Sequence, residues 1–500
     1  MLAAPSFTGG SVINTDVYTG GVADGGEYYL NTNNFFRQIR NLIIDMSHCK
    51  TANMWGVHYQ VAQATSIENV IIVMDGPSGS TQIGIYAENG SGGFMSQIIF
   101  LNGYVGIQAG NQQFTTRGLN FLGTQIAIWM PWDWGWTWKS IQTVGCNWGL
   151  YFNGATVGGS IYVLDSSFTN TPYAIVVNGA SGSTTQQQPL ITLDNVVLNN
   201  VVVAVYDLNS NIILNGPGTG TSTISSWTVG TVYDKANPNG AFFAGKPIDT
   251  PHPTTASLAG GPFGGYFEKQ KPSYSATNNA YWLIAGALAK GDGVTDDTAA
   301  LSLFFALGAA YNHGVFVPTG SYIIASPPLV IPINAVIVGA CWSQFVASGS
   351  AYANQNAPQA MIKVGNAGDV GNIEIQDVLF TVKGPTAGAV LVEWNAKAAS
   401  QGSVAMWDSH FRVGGALGSN LQAANCPTTS TSTSCIAASL LLHVTKSGNG
   451  YFENVWAWTA DHDMDAGLAQ TQINIFTSSS RKSFVKRKLF CCKCFHSEIE

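Results

Sequence analysis

The sequence predicts an all-β chain folded as two tandem parallel β-helix solenoids, and three observations predict it. Short apolar stretches rich in Val and Ile, at residues 41–45, 69–75, 97–102, 118–121, 140–144 and 160–164, are punctuated by Asn, Asp, Gly and Ser, the signature of buried strands between tight turns. Within them Ile43, Ile71, Ile98, Leu119, Ile141 and Ile161 recur at intervals of 28, 27, 21, 22 and 20 residues. A period in the low-to-mid twenties is one coil of a parallel β-helix, in which each coil adds a strand to several stacked sheets. Finally, a Pro- and Gly-rich break after residue 245 separates this region from a second patterned one. A large antiparallel sandwich also alternates short strands with Gly-rich turns. The near-constant interval, and the scarcity of Asn-Gly or Asp-Gly hairpin signals between adjacent strands, favour the solenoid.

Taken in order, residues 1–245 form the first domain. Residues 246–275 read as a linker, with Pro247, Pro251, Pro253, Gly260-Gly261-Pro262 and Gly264-Gly265. The second domain, residues 276–478, opens on one convincing helix, in which Asp296-Asp297-Thr298 caps an Ala-, Leu- and Phe-rich run over residues 299–310. Strands resume at residues 315–318, 335–338, 373–375, 390–393, 440–443 and 451–458. Residues 479–500 break the pattern: six of the 21 basic residues and three of the eight cysteines fall between Arg481 and Cys494. This aberrant tail reads as a membrane-binding or metal-binding segment, or as translated intron after a broken repeat.

Composition narrows the ligand. Asp, Glu, Lys and Arg make up 10% of 500 residues, and 21 basic against 28 acidic residues leave a net charge of −7. No basic stripe is available to neutralise phosphates, so nucleic acid is excluded as a partner. Fourteen Trp, 18 Tyr and 24 Phe suit either a core or a surface that stacks on flat, neutral, hydroxyl-rich ligands. No apolar run reaches the length of a membrane span, so no membrane partner is expected. Met1 leads into Leu2-Ala3-Ala4-Pro5 with no recognisable secretory signal. Against that, Asn89-Gly90-Ser91 is a glycosylation sequon, and Cys426 and Cys435 flank a Thr/Ser-rich loop as either a surface disulfide or two free thiols.

Residues 291–300, GDGVTDDTAA, followed by VFVPTGSY at 315–322, resemble the opening of pectate-lyase-like right-handed β-helix domains. More specifically, the blocks at residues 33–46, 56–70, 88–95, 110–117, 132–140, 406–415 and 451–465 resemble, in order, the fungal exo-β-1,3-glucanases of glycoside hydrolase family 55. The resemblance implies two tandem right-handed parallel β-helices, pectin-lyase-like solenoids, with the active site between them. It also implies secretion, no cofactor or metal, a monomer, and release of glucose or short sugars from the non-reducing end of laminarin-type β-1,3-glucan with inversion. Inversion needs a carboxylic acid to protonate the leaving oxygen and a water attacking the opposite face. The family's water-holding Gln and Ser match Gln63 and Ser91.

Two departures stand against the match. The GDGVTDD-type opening occurs once, at Gly291, so the first domain lacks its N-terminal cap, and the family's Ser-Glu-His segment carrying the general-acid Glu is absent. The tail's His496-Ser497-Glu498 has the wrong order for that role. Asp461 and Asp463, beside Trp456 and Trp458, read as substrate-binding acids with a sugar platform, or as turn-satisfying acids beside stacked core Trp. His410 reads as a satisfied inner polar residue. Lacking an acid, the chain as written is expected to hydrolyse glucan feebly or not at all. The competing readings are a noncatalytic or degenerate glucan-binding protein and a polysaccharide lyase, the latter disfavoured by the shortage of basic residues and of clustered Ca²⁺-ligating acids.

Overall fold

The computed structural model describes residues 1–19, 26, 31, 34–76, 79–153, 159–178, 190–209, 211–233, 235–248, 259–274, 281–463, 465 and 471–477. The tail at 479–500, and residues 249–258 and 275 of the expected linker, lie outside them. The chain divides into two compact units, Met1–Glu268 and Lys269–Glu500.

The first unit is a parallel β-helix. One column of strands stacks Trp55–Tyr59, Ile83–Glu88, the start of Val105–Leu122, the start of Ile126–Lys139, Trp148–Phe152, Tyr173–Val177 and Val203–Asp207, all parallel. A second column stacks Gln38–Asp45, Ser66–Val73, Phe94–Leu101 and the second half of Val105–Leu122, and continues through Ser160–Thr169 to Leu190–Asn199. Each strand of the second column bends at a residue in the left-handed region: Asn41, Asn69, Gln97, Gly118, Ser140, Asp165 and Asn195, with φ between 49° and 66°. Asn, Asp and Gly tolerate that conformation best, which explains the Asn-rich punctuation of the sequence. The amides also stack, Asn69 Nδ2 donating to Asn41 Oδ1 at 2.8 Å. At the first column's corner a Cβ on Gly84 would sit 2.6 Å from the Gly106 carbonyl oxygen and 2.7 Å from the Phe100 ring, so only glycine fits.

The observed register corrects the expected one. Ile43 does pair with Ile71, but Ile71 continues to Ile99, whereas Ile98 pairs with Val70 and Leu119. Ile161 pairs with Trp136, on the other side of the Ser140 bend from Ile141. A one-residue slip reverses the face of a strand, so Ile43 is 56% exposed while Ile98 is in the core. The parallel coiling also stops before residue 240: Thr221–Val232 pairs antiparallel with Leu190–Asn199, and Ala241–Pro247 adds antiparallel to it. This antiparallel end, exposing Thr221, Ser222 and Thr223, covers what would otherwise be an open edge of the last coil.

The second unit stacks Trp282–Ile284, Gly314–Val317, Val336–Ser348, Ile373–Lys383, Val404–Trp407 and Tyr451–Glu453 in parallel, with a second parallel sheet of Leu329–Ile331, Gln359–Val364, Ala389–Trp394 and Leu440–Val444. Its helix, Thr298–Tyr311, buries Leu301, Phe304 and Phe305 in the same core as Val315 and Phe345. The cap differs from expectation. The Asp297 carboxylate makes no cap to the helix and accepts instead from the Lys290 and Gly291 amides at 2.7 and 3.0 Å, while Asp296 accepts from the Thr298 amide at 3.1 Å. Cys426 and Cys435 are joined in a disulfide, Cα–Cα 5.8 Å.

Candidate functional site

The turn after Trp55–Tyr59 carries Gln63, and the turn after Ile83–Glu88 carries Ser91. Ser66 pairs with Phe94, an offset of one 28-residue coil, so Gln63 and Ser91, each three residues earlier, occupy equivalent places on neighbouring coils. The turns are tied together by the Phe94 amide donating to the Thr65 carbonyl at 3.0 Å, and within the first turn Thr65 Oγ1 donates to the Ala62 carbonyl at 3.2 Å. Ala64, next to Gln63, is left-handed with φ 59°. A Cβ on Gly92 would stand 3.4 Å from Gln63 Cγ, so the Gln63 side chain starts beside Gly92, the residue after Ser91. Both Gln63 and Ser91 are half-buried. An amide and a hydroxyl can each accept from and donate to water, though neither is a strong base.

Sequence reasoning missed the next member of this row. Gln113 Nε2 donates to the Ser91 carbonyl at 3.1 Å, and Gln113 pairs with Gly135 one coil further on. The 22-residue step from Ser91 was available in the sequence but hidden by the change of coil length. Two residues before Gly135, Asp133 is buried, its Oδ1 accepting from the Gly159 amide at 3.0 Å and its Oδ2 without a partner among the described residues. Burial pushes its carboxyl up to about 7, against the hydrogen bonds from the Gly159 and Trp136 amides. Below the Ser91 turn, Glu88 meets His58 Nε2 at 2.6 Å and accepts from Tyr18 and Tyr86. Burial raises the Glu88 carboxyl, but the hydrogen bonds from His58, Tyr18 and Tyr86 outweigh it and hold the group below its ordinary value.

In the second unit Trp456 and Trp458 stack at 5.2 Å and are half-buried. Asp461 is 71% exposed and contacts His462 Nδ1 at 2.6 Å, a bond that holds its carboxyl below the usual range. Asp463 is buried and accepts from Gln422 Nε2 at 3.2 Å and the Ala423 amide at 3.4 Å. Those partners are the turn-satisfying arrangement rather than a free ligand group. His410 is buried, its Nδ1 accepting from the Trp456 amide at 3.2 Å, and burial pushes its pKa down to about 4.

A family profile described as "Rhamnogalacturonase A/epimerase, pectate lyase-like" matches residues 1–151. The chain is 42% identical over 492 residues to a "Non-secreted LysM effector LysM15" of Penicillium expansum, covering 95% of this chain and 34% of that protein. It is 36% identical over 485 residues to a "Glucan 1,3-beta-glucosidase" of Cochliobolus carbonum, covering 95% and 60% respectively. It is also 33% identical over 578 residues to a "Probable glucan endo-1,3-beta-glucosidase" of Arthroderma benhamiae, covering 95% and 64%. The chain thus spans between 34% and 64% of the length of these curated relatives.

Proposed function

We propose that this chain, a pectate-lyase-like β-helix protein homologous to glucan 1,3-beta-glucosidases, hydrolyses β-1,3-glucan, with Gln63 and Ser91 orienting the attacking water. The observation that carries the reading is the one-coil register of these two half-buried residues, an amide and a hydroxyl at equivalent positions of neighbouring turns. A water held by both is fixed in place and direction, which supplies much of what a weakly basic pair can supply. Attack from that side inverts the anomeric centre, so glucose leaves the non-reducing end as the α-anomer. Substrate would be met outside the cell by a monomer of the family 55 kind.

The proton for the leaving oxygen must come from a group that keeps it at working pH. Asp461, held below its ordinary value by His462, is ill suited to this, and Asp463 is occupied by the Gln422 side chain. That favours a second reading, a glucan-binding protein without turnover. Proton NMR of a fresh laminarin digest separates the two. Early α-glucose that disappears with Gln63→Ala supports hydrolysis at this row; absence of any sugar release, with laminarin still bound, supports the second reading.

A further inference from the structure

The first strand column of unit 1 has an outer face that the water-holding row does not use. Along it, Val105, Ile126, Trp148 and Tyr173 occupy one line of paired positions and Gln108, Trp129 and Tyr151 the next. Ile83, Val105 and Ile126 form a small cluster of their own, separate from the core and overlaid by half-buried rings that include Trp129, Trp148 and Tyr151. Trp148 and Tyr151 meet edge-on at 5.0 Å, and Trp129 and Tyr151 stack at 6.3 Å. Indole and amide are paired at the margin, Trp129 Nε1 donating to Asn153 Oδ1 at 3.2 Å.

The chemistry of this face selects its occupant. The stretches 105–110, 126–130, 148–152 and 173–177 contain no Asp, Glu, Lys, Arg or His, so a charged ligand finds no counter-charge on these strands, and on the two preceding strands of the column Glu88 and His58 pair with each other at 2.6 Å. A protein interface of this size would bring a charged rim and often a central Arg, and neither is present in those stretches. Half-buried rings with Gln108 and Asn153 amides at hand offer instead apolar faces and hydrogen-bonding edges together, which is what a sugar ring presents in return. The rings step from coil to coil at the spacing of paired strands, about 4.8 Å, along the solenoid axis.

We propose that this face binds a neutral polysaccharide laid along the axis of unit 1, with Trp129, Trp148, Tyr151 and Tyr173 stacking on successive sugar rings. The choice of β-1,3-glucan as the leading ligand rests on the function proposed above; the face itself requires only a neutral glycan. Affinity electrophoresis of the full chain through gels containing laminarin, soluble cellulose derivative without charge, or polygalacturonate tests it. The expected result is retardation by a neutral glycan and none by polygalacturonate, with the dissociation constant raised at least tenfold in Trp129→Ala/Tyr151→Ala. Should that variant melt early, Tyr173→Ala and Gln108→Asp, which leave the Trp129 and Tyr151 rings in place, should each weaken retention severalfold. Retardation unchanged in all variants, no retardation by any neutral glycan, or concentration-dependent dimerisation abolished by the same variants would overturn the proposal. Rates on laminaritriose report separately on the Gln63 and Ser91 row, so loss of that reading alone would show as retention without hydrolysis.

Discussion

The two units hold opposite ends of one short segment, residues 266–274, and they do it with opposite charges. On unit 1 the segment contributes an acid: Glu268 meets Lys139 Nζ at 2.6 Å and accepts from Ser140 Oγ at 2.7 Å, with Lys139 also 3.2 Å from Asp165. On unit 2 it contributes a base: Lys271 Nζ stands 2.7 Å from Asp377 and 2.6 Å from Asp408. In both cases the receiving residues sit on the left-handed bends of a strand column, Ser140 and Asp165 in one unit, Asp377 and Asp408 in the other. The bends that let the strands turn therefore also project polar groups outward in a line, and that line is where the segment docks. The difference lies in burial. Glu268 retains 13% exposure, whereas Lys271 is 7% exposed between carboxylates that are 0% and 1% exposed.

That contrast sets the order of the predictions. Lys271→Met leaves two buried carboxylates facing each other without a cation, and loss of one partner from a buried pair costs about 3–5 kcal/mol. Chemical denaturation should show unit 2 losing that much, with Asp377→Asn/Asp408→Asn added to the same chain restoring part of it. Glu268→Gln keeps a hydrogen-bonding side chain at a partly exposed position, so unit 1 should lose less, about 1–2 kcal/mol. Equal losses in the two units would break the comparison.

The units should also tilt oppositely with pH. Asp133 in unit 1 has its folded pKa raised to about 7, so the folded state binds more protons than the unfolded one between about pH 4 and 7. Unit 1 accordingly loses stability as pH rises through that window. His410 in unit 2 has its folded pKa lowered to about 4, so unit 2 loses stability as pH falls below about 6.5. Each effect is on the order of a few kcal/mol across its window. Thermal melts followed by pulse proteolysis at pH 5 and pH 8 should show the ranking of the two units shift in favour of unit 1 at the acid end, and Asp133→Asn should remove most of unit 1's slope. A common pH dependence in both units would contradict the account.

A smaller asymmetry is covalent. The Cys426–Cys435 disulfide closes a loop nine residues in sequence separation, for which chain entropy gives about 2–3 kcal/mol. Mild reduction should lower the melting temperature of unit 2 and leave unit 1, whose Cys49 and Cys146 are free, unmoved.

The periodicity of Val- and Ile-rich stretches carried the solenoid into view because every coil must refill the same core. Register was less legible: Ile43 and Ile98 look alike in sequence, and only the position of the left-handed Asn41, Asn69 and Gln97 tells which residue of each stretch points inward. The helix over Thr298–Tyr311 was visible from its composition, but its cap was not, since Asp297 is drawn back to the Lys290 and Gly291 amides. Gln63 and Ser91 could be matched by resemblance, and their 28-residue separation is the one-coil offset seen between Ser66 and Phe94. Lys139, Glu268 and Lys271 gave no signal, because their partners are from about 26 to 137 residues away and ion pairing leaves no local pattern.

The claim on which the functional account turns is that Gln63 and Ser91 hold the attacking water, and it can be measured without the general acid. A 2,4-dinitrophenyl β-glucoside carries a leaving group that departs unprotonated, so its hydrolysis reports on water attack alone. The account predicts that the full chain cleaves it with inversion, giving the α-anomer first by NMR, and that Gln63→Ala or Ser91→Ala slows cleavage by about 100-fold, as loss of orientation does. Release of the β-anomer, or rates unchanged in both variants, would contradict it.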